Sequence, residues 1–226
     1  MTDPFPNTNR NVSALSARLA ADPKFQGVGI VRSQALSGTG TLIDRRWILT
    51  AKHVVLNSKE GSFYLEGTNF PIVRFITHTS VDLALGELAS EPVGYPLTSF
   101  WTEPLETNQL VWLVGYGQHG QFTGKPAELS PRFQGRYAAQ NRIDGFINLE
   151  DVGACLRIRY DENTRGIPHL GSVAPGDSGS PVLFEAKGLF YIVGITHGVR
   201  PPMEGYFFVQ IQPYLSWIQS VLKSGM

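Results

Sequence analysis

The chain has 226 residues and carries 19 Lys+Arg against 19 Asp+Glu, a formal net charge of zero at pH 7. That balance speaks against a nucleic-acid partner, which needs a basic surplus to neutralise phosphates, and no run of like charge reads as a membrane-binding stretch or an acidic tail. With 42% apolar and 11% aromatic residues, 24 glycines and 15 prolines, the composition is turn-rich and core-forming rather than disordered. A chain of this length buries roughly 70–75% of its unfolded surface, so it needs no covalent staples. Cys155 is the single cysteine, and no intrachain disulfide can form. This favours a reducing, cytoplasmic setting; the alternative is a secreted form whose export signal is absent from this chain. Residues 1–24 lack the basic and then apolar pattern of a signal peptide, and no run of about 18 apolar residues occurs that could span a membrane.

Val12, Leu15 and Leu19 recur at helical spacing, and Asp22-Pro23 ends the run. This predicts a short N-terminal helix over 11–21. From Phe25 onward the pattern changes to short β-rich segments separated by Gly, Pro, Ser and Asn. They cover 28–33, 39–44, 46–51, 62–66, 70–76, 83–88, 109–115, 132–137, 145–149, 155–159, 181–184, 190–196 and 206–211. Many short strands at this spacing predict an all-β sandwich or barrel, and no alternation of strand and helix suggests a parallel α/β sheet. A Pro-rich stretch over 91–104 is the candidate linker between two β units. The division is then a leader over 1–24, a first β unit over 25–100 and a second over 101–226. Pro213 and the period of Tyr214, Leu215, Ile218, Val221 and Leu222 predict a C-terminal helix.

Three stretches could carry chemistry. Trp47-Ile48-Leu49-Thr50-Ala51-Lys52-His53 ends a strand-like apolar run on a histidine. Asp82 immediately precedes another apolar run, Leu83 to Leu88. Both residues therefore fall where a strand meets a loop, the usual seat of reacting groups. The third stretch, Gly176-Asp177-Ser178-Gly179-Ser180-Pro181, sets a serine between glycines. Glycines let a substrate backbone approach and let successive N–H groups aim at one point, as an oxyanion hole requires. A serine hydroxyl becomes a nucleophile only with a base in hydrogen-bond reach and a group to orient that base.

Taken together, these stretches resemble the trypsin/chymotrypsin-like serine endopeptidases. Leu49 to His53 is similar to the family's histidine motif, Asp82-Leu83-Ala84-Leu85 to its aspartate motif and Gly176 to Pro181 to its serine motif, in the same order. Gly115-Tyr116-Gly117, Val193-Gly194-Ile195-Thr196 and Tyr214-Leu215-Ser216-Trp217-Ile218 extend the likeness over about residues 28–220. The form Thr50-Ala51-Lys52-His53-Val54-Val55 looks closest to the bacterial glutamyl-endopeptidase branch. The resemblance implies two antiparallel β-barrels packed around a cleft, with the short N-terminal helix and the C-terminal helix outside them. It implies an endopeptidase acting through an acyl-enzyme on protein or peptide substrates. Ser178 would be the nucleophile, His53 its base and Asp82 the orienting acid, with the N–H groups of Gly176 and Ser178 as the oxyanion hole. Ser172, Val173, Thr196, His197 and Gly198 would contact substrate, and the Thr196 hydroxyl would also support Asp82.

The sequence departs from the family pattern in places. Asp82 follows His53 by 29 residues, a short spacing that implies trimmed loops and an open cleft. There is no Ile-Val-Gly-Gly start, so Asp177 needs a partner other than a freed N-terminus, and residues 1–24 could serve as an inhibitory or regulatory-partner segment. Ser172 at the pocket floor argues against Arg or Lys at the cleaved position, and Val173 argues against Glu, leaving an uncharged residue. Two alternatives stay open: an inactive protease-like binding module, and a latent processing protease with one cognate target. Gly115-x-Gly117-x-x-Gly120 matches a dinucleotide fingerprint, but no helix pattern follows it. The remaining histidines lack metal-ligand spacing, so no cofactor or metal is expected.

Overall fold

In the computed structural model the described residues are 17–34, 36–119, 132–161, 164 and 166–224. Six strands form the first unit: β1 (Val28–Ser33), β2 (Ser37–Asp44), β3 (Trp47–Thr50), β4 (Gly61–Leu65), β5 (Thr68–Thr77) and β6 (Ala84–Leu88). They close into an antiparallel barrel in the order β1-β2-β3-β6-β5-β4. Leu42, Ile48, Leu49, Phe63, Leu65, Leu85 and Leu88 fill it and are wholly buried. Each such side chain contributes roughly 1.5–3 kcal/mol of transfer free energy on burial.

Eight further strands form the second unit: β7 (Ser99–Phe100), β8 (Leu110–Gly115), β9 (Tyr137–Arg142), β10 (Gly145–Leu149), β11 (Gly153–Ile158), β12 (Pro181–Ala186), β13 (Leu189–Arg200) and β14 (Met203–Gln210). Their order is β10-β11-β14-β13-β12-β8-β9, with β7 parallel to β13. The chain itself brings the two ends of this curled sheet together. Ile143 N–H donates to Gln109 O on the β8 side (3.0 Å), and Asp144 N–H donates to Arg157 O on β11 (2.9 Å). The expected all-β, two-barrel architecture is therefore present.

Two local expectations, the strand over 132–137 and the place of His53 at a strand end, are corrected. The strand expected over 132–137 lies at β9, because Phe133 has a positive φ of 64° and the ladder with β8 runs from Gly115↔Tyr137 to Leu110↔Arg142. Gln140 and Asn141 on it are both buried, on opposite faces, so an apolar pattern could not mark it. Asn141 meets the cost of burial by donating from Nδ2 to Gly171 O (2.9 Å). The Pro-rich stretch contains β7 and is pinned to both units. Thr98 N–H donates to Leu42 O (3.1 Å) and Trp101 N–H to Ile192 O (3.1 Å). His53 does not end a strand; it lies on α1 (Lys52–Val55), which starts after the extended Ala51 and buries Val54 and Val55.

Of the expected N-terminal helix, residues 17–20 are helical and 11–16 lie outside the described residues. Ala20 and Phe25 are buried in the same cluster as the barrel core. The C-terminal helix is a 3-10 turn (Gln212–Tyr214) followed by α2 (Leu215–Ser224), with Ile218 and Val221 buried. It packs against the loop that carries Asp82: the His78 ring lies edge-on to Tyr214 (5.5 Å) and Trp217 (5.0 Å).

Candidate active site

Thr50, Ala51 and α1 carry His53 out of β3, and the loop 78–83 carries Asp82 into β6. Lys52 ties the two, donating from Nζ to His78 O (2.9 Å) and Thr79 O (3.2 Å). The Asp82 carboxylate then grips His53 twice. Oδ1 accepts the His53 backbone N–H (2.8 Å), one of the donors a helix start leaves unpaired, and Oδ2 accepts ring Nδ1 (2.7 Å). The Asp82 side chain is 7% exposed. Burial alone would raise its pKa, but hydrogen bonds from His197 and His53 and the attraction of His53 outweigh it, bringing the carboxyl to about 2. Asp82 is therefore ionised at neutral pH and can only accept, so the bonded ring nitrogens donate. Nδ1 of His53 carries the proton, and Nε2 is left as the basic edge.

Ser178 comes from the loop between Gly171 and β12, and Thr39 of β2 clasps that loop. Thr39 N–H donates to Ser178 O (2.8 Å). Its hydroxyl donates to Gly176 O (3.0 Å) and accepts from Tyr116 N–H (3.2 Å). Thr50 Oγ1 donates in turn to Thr39 O (2.8 Å). The serine loop, β2 and the histidine strand thus form one hydrogen-bonded joint across the two units. Gly179 sits where any Cβ would overlap Thr50 Oγ1 and Thr39 O and press on Ala51 N. The residue after Ser178 is therefore packed directly onto the approach to His53. Among the described residues, neither Gly176 N–H nor Ser178 N–H has an acceptor.

The partner of Asp177, left open by the sequence, is backbone. Oδ1 accepts from Gly117 N–H (2.7 Å) and Oδ2 from Ala174 N–H (2.9 Å). A Cβ at Gly115 or Gly117 would overlap this carboxylate, which explains the Gly-Tyr-Gly stretch. Burial pushes the Asp177 carboxyl up to about 6, against the lowering pull of the two N–H groups.

The expected support of Asp82 by Thr196 is corrected. The Thr196 hydroxyl bonds Ser180 Oγ (2.7 Å), and it is His197 Nδ1 that reaches Asp82 Oδ2 (2.6 Å). The physical reason is a bulge: Thr196 pairs with Phe208 and Gly198 with Phe207 on β14, so His197 has no residue opposite. A bulge re-aims a side chain, and here it turns His197 toward Asp82. The signal that could have found it is a polar, ring-bearing residue beside a glycine in an otherwise apolar strand. Of the other residues assigned to substrate, Gly198 faces open space. Val173 turns inward among Leu113, Val182, Val193 and Phe208. Ser172 Oγ is buried without a partner among the described residues.

His53, Asp82 and His197 each place a potential metal-ligating atom within 4.8 Å of the others. Both Nδ1 edges are committed to Asp82, so the cluster works as a hydrogen-bonded set. Cys155 is buried and forms no disulfide, and its thiol donates to Gly153 O (3.4 Å); burial, reinforced by the Asp82 charge, pushes the thiol up to about 12, which leaves it inert. No helix among the described residues is long and apolar enough to cross a membrane.

Residues 38–195 match the family model of the trypsin-like peptidase domain. Over 96 residues the chain is 32% identical to the serine protease Rv3671c of Mycobacterium tuberculosis strain H37Rv, a match covering 42% of this chain and 24% of that protein. The chain therefore spans about a quarter of that relative's length. The crystal structure of the Rv3671c protease in its inactive form superimposes with a TM-score of 0.65 at 21% identity, covering 96% of this chain and 98% of that one. The scabies mite inactivated protease paralogue S-I1 does so with a TM-score of 0.66 at 17% identity, covering 89% and 96%. The fold alone therefore does not decide activity, and the side chains in the cleft must.

Proposed function

The chain belongs to the trypsin-like peptidase family, and on that premise we propose that it is a serine endopeptidase acting through an acyl-enzyme at Ser178. The observation that carries this reading is the double grip of Asp82 on His53. It sets the imidazole tautomer that leaves Nε2 free to accept the proton of a serine hydroxyl. Ser178 attacks the peptide carbonyl, His53 takes its proton and later returns it to the leaving amine, and Asp82 stabilises the imidazolium. Gly176 N–H and Ser178 N–H receive the oxyanion. Gly198, with open space before it, suits an extended substrate backbone added along β13. A fluorophosphonate probe tests the reading: it labels the wild-type protein and spares Ser178→Ala. Substituting Ser178 or His53 by alanine should lower kcat by orders of magnitude and leave a residual rate about 10³–10⁴-fold above water. Absence of labelling in folded wild type would overturn the proposal.

We further propose cleavage after an uncharged residue. The support is the Ser172 hydroxyl, buried and without a partner among the described residues, beside a Val173 that turns into the core. A charged side chain would lose more in desolvation there than one hydroxyl could return. Mass-spectrometric profiling of a peptide library reads this directly, and dominant cleavage after Arg, Lys or Glu would refute it. The backbone partners of Asp177 favour a serine loop shaped without a freed N-terminus. Activity is accordingly expected without proteolytic processing.

A further inference from the structure

We propose that His197 is a positioning residue for the reaction: it donates from Nδ1 to the same Asp82 oxygen that orients His53, holding the carboxylate and tempering its support of the His53 imidazolium. The inference rests on the endopeptidase reading above. Its basis is geometric. Asp82 Oδ2 accepts from His53 Nδ1 at 2.7 Å and from His197 Nδ1 at 2.6 Å, so both lone-pair directions of that oxygen are engaged. Oδ1 accepts the His53 backbone N–H. Three donors, two from α1 of the first unit and one from β13 of the second, leave the carboxylate no freedom to rotate. The two rings meet edge to face, 5.5 Å between centroids and 85° between planes.

Sharing has an electronic consequence. An oxygen that accepts a second charge-assisted bond gives less to the first. If His197 binds a second proton, a full positive charge stands one ring away from His53 and opposes its protonation. Both effects temper the support that Asp82 gives to the His53 imidazolium. The charged and titratable groups around His197 are Asp82 on its loop, His53 on α1, and Asp151. Asp151 is itself paired with Arg200 at 2.6 Å, so the two balance each other.

The test is the pH dependence of kcat and kcat/KM on a cleaved peptide for wild type, His197→Ala and His197→Asn. Asparagine places a side-chain N–H near the position of Nδ1 and never becomes charged. His197→Ala should lower kcat about 10- to 100-fold, change KM little, and move the acid limb of kcat/KM to higher pH. His197→Asn should recover most of kcat, with an acid limb between the other two. The inference falls if His197→Ala keeps the wild-type profile. It also falls if alanine and asparagine lose activity equally in step with melting temperature, as a purely structural role would require. Fluorophosphonate labelling of wild type separates the two readings. A labelled wild type with an unchanged His197→Ala profile overturns this inference alone, and an unlabelled wild type overturns the endopeptidase reading beneath it.

Discussion

Thr39 shows how much one hydroxyl can hold. It is fully buried, and it joins the serine loop to Tyr116 and to the strand of the first barrel. Thr39→Val keeps the shape and strands two buried polar groups, Gly176 C=O and Tyr116 N–H. Unfolding in urea should show a loss of about 1–3 kcal/mol, with kcat falling more than KM rises, because the oxyanion donors lose their anchor. Asp177 makes a second prediction. Its folded carboxyl, at about 6, lies above the unfolded value near 4. In that window the native state holds more protons than the unfolded state, so stability declines as pH rises from about 4 through about 6 and then levels off. The decline is on the order of 3 kcal/mol for one group. Asp177→Asn should remove that slope, read as urea midpoints at pH 4, 5, 6 and 7; a wild-type-minus-variant difference that stays constant across the series would contradict it. The sequence already showed Asp177 as an acid lacking its usual partner, but not what replaced it. Backbone N–H groups carry no sequence signature, and only the meeting of Gly117 and Ala174 supplies them.

At the scale of elements, the bulge in β13 decides the site. Gly198 holds a φ of +130°, and no atom lies within 4 Å of where its Cβ would be. The cost of Gly198→Ala is therefore backbone strain alone, about 1–3 kcal/mol. A melting temperature lower by about 2–10 °C follows for a chain of this size. Circular dichroism melting measures it, and an unchanged melting temperature would show that the bulge needs no glycine. His53, Asp82 and Ser178 were legible in the sequence because each stands inside a contiguous run whose neighbours mark it. Which of Thr196 and His197 reaches Asp82 was not, because a one-residue bulge exchanges which side chain faces inward. The alternation along a strand is read correctly only once the register is known. The same limit hid β9, where Gln140 and Asn141 occupy buried positions that hydropathy assigns to a loop.

For the whole molecule, the candidate site is also the joint between the barrels. Asp82 belongs to the first barrel, yet its N–H donates to Val152 O (3.1 Å) and its carboxylate accepts from His197 of the second. Thr39 crosses the same boundary to Ser178. Asp82 links this joint to acid stability. Its folded carboxyl, at about 2, lies below the unfolded value near 4. Its contribution is present above pH 4 and is lost as pH falls through 2, on the order of 3 kcal/mol in all. Tryptophan fluorescence and residual activity should lose their native values together below pH 4, and Asp82→Asn should flatten the acid slope. Early loss of activity with intact fluorescence would separate site from joint. The amino-acid sequence by itself determined the β class and the order of the three motifs, and it singled out His53, Asp82 and Ser178 as candidates, because each depends on residues adjacent in the chain. The tertiary structure alone decided the clasp at Thr39, the backbone partners of Asp177 and the place of His197 on Asp82. Each of those joins segments far apart in the chain, and their meeting depends on strand register and barrel packing, which no local pattern encodes.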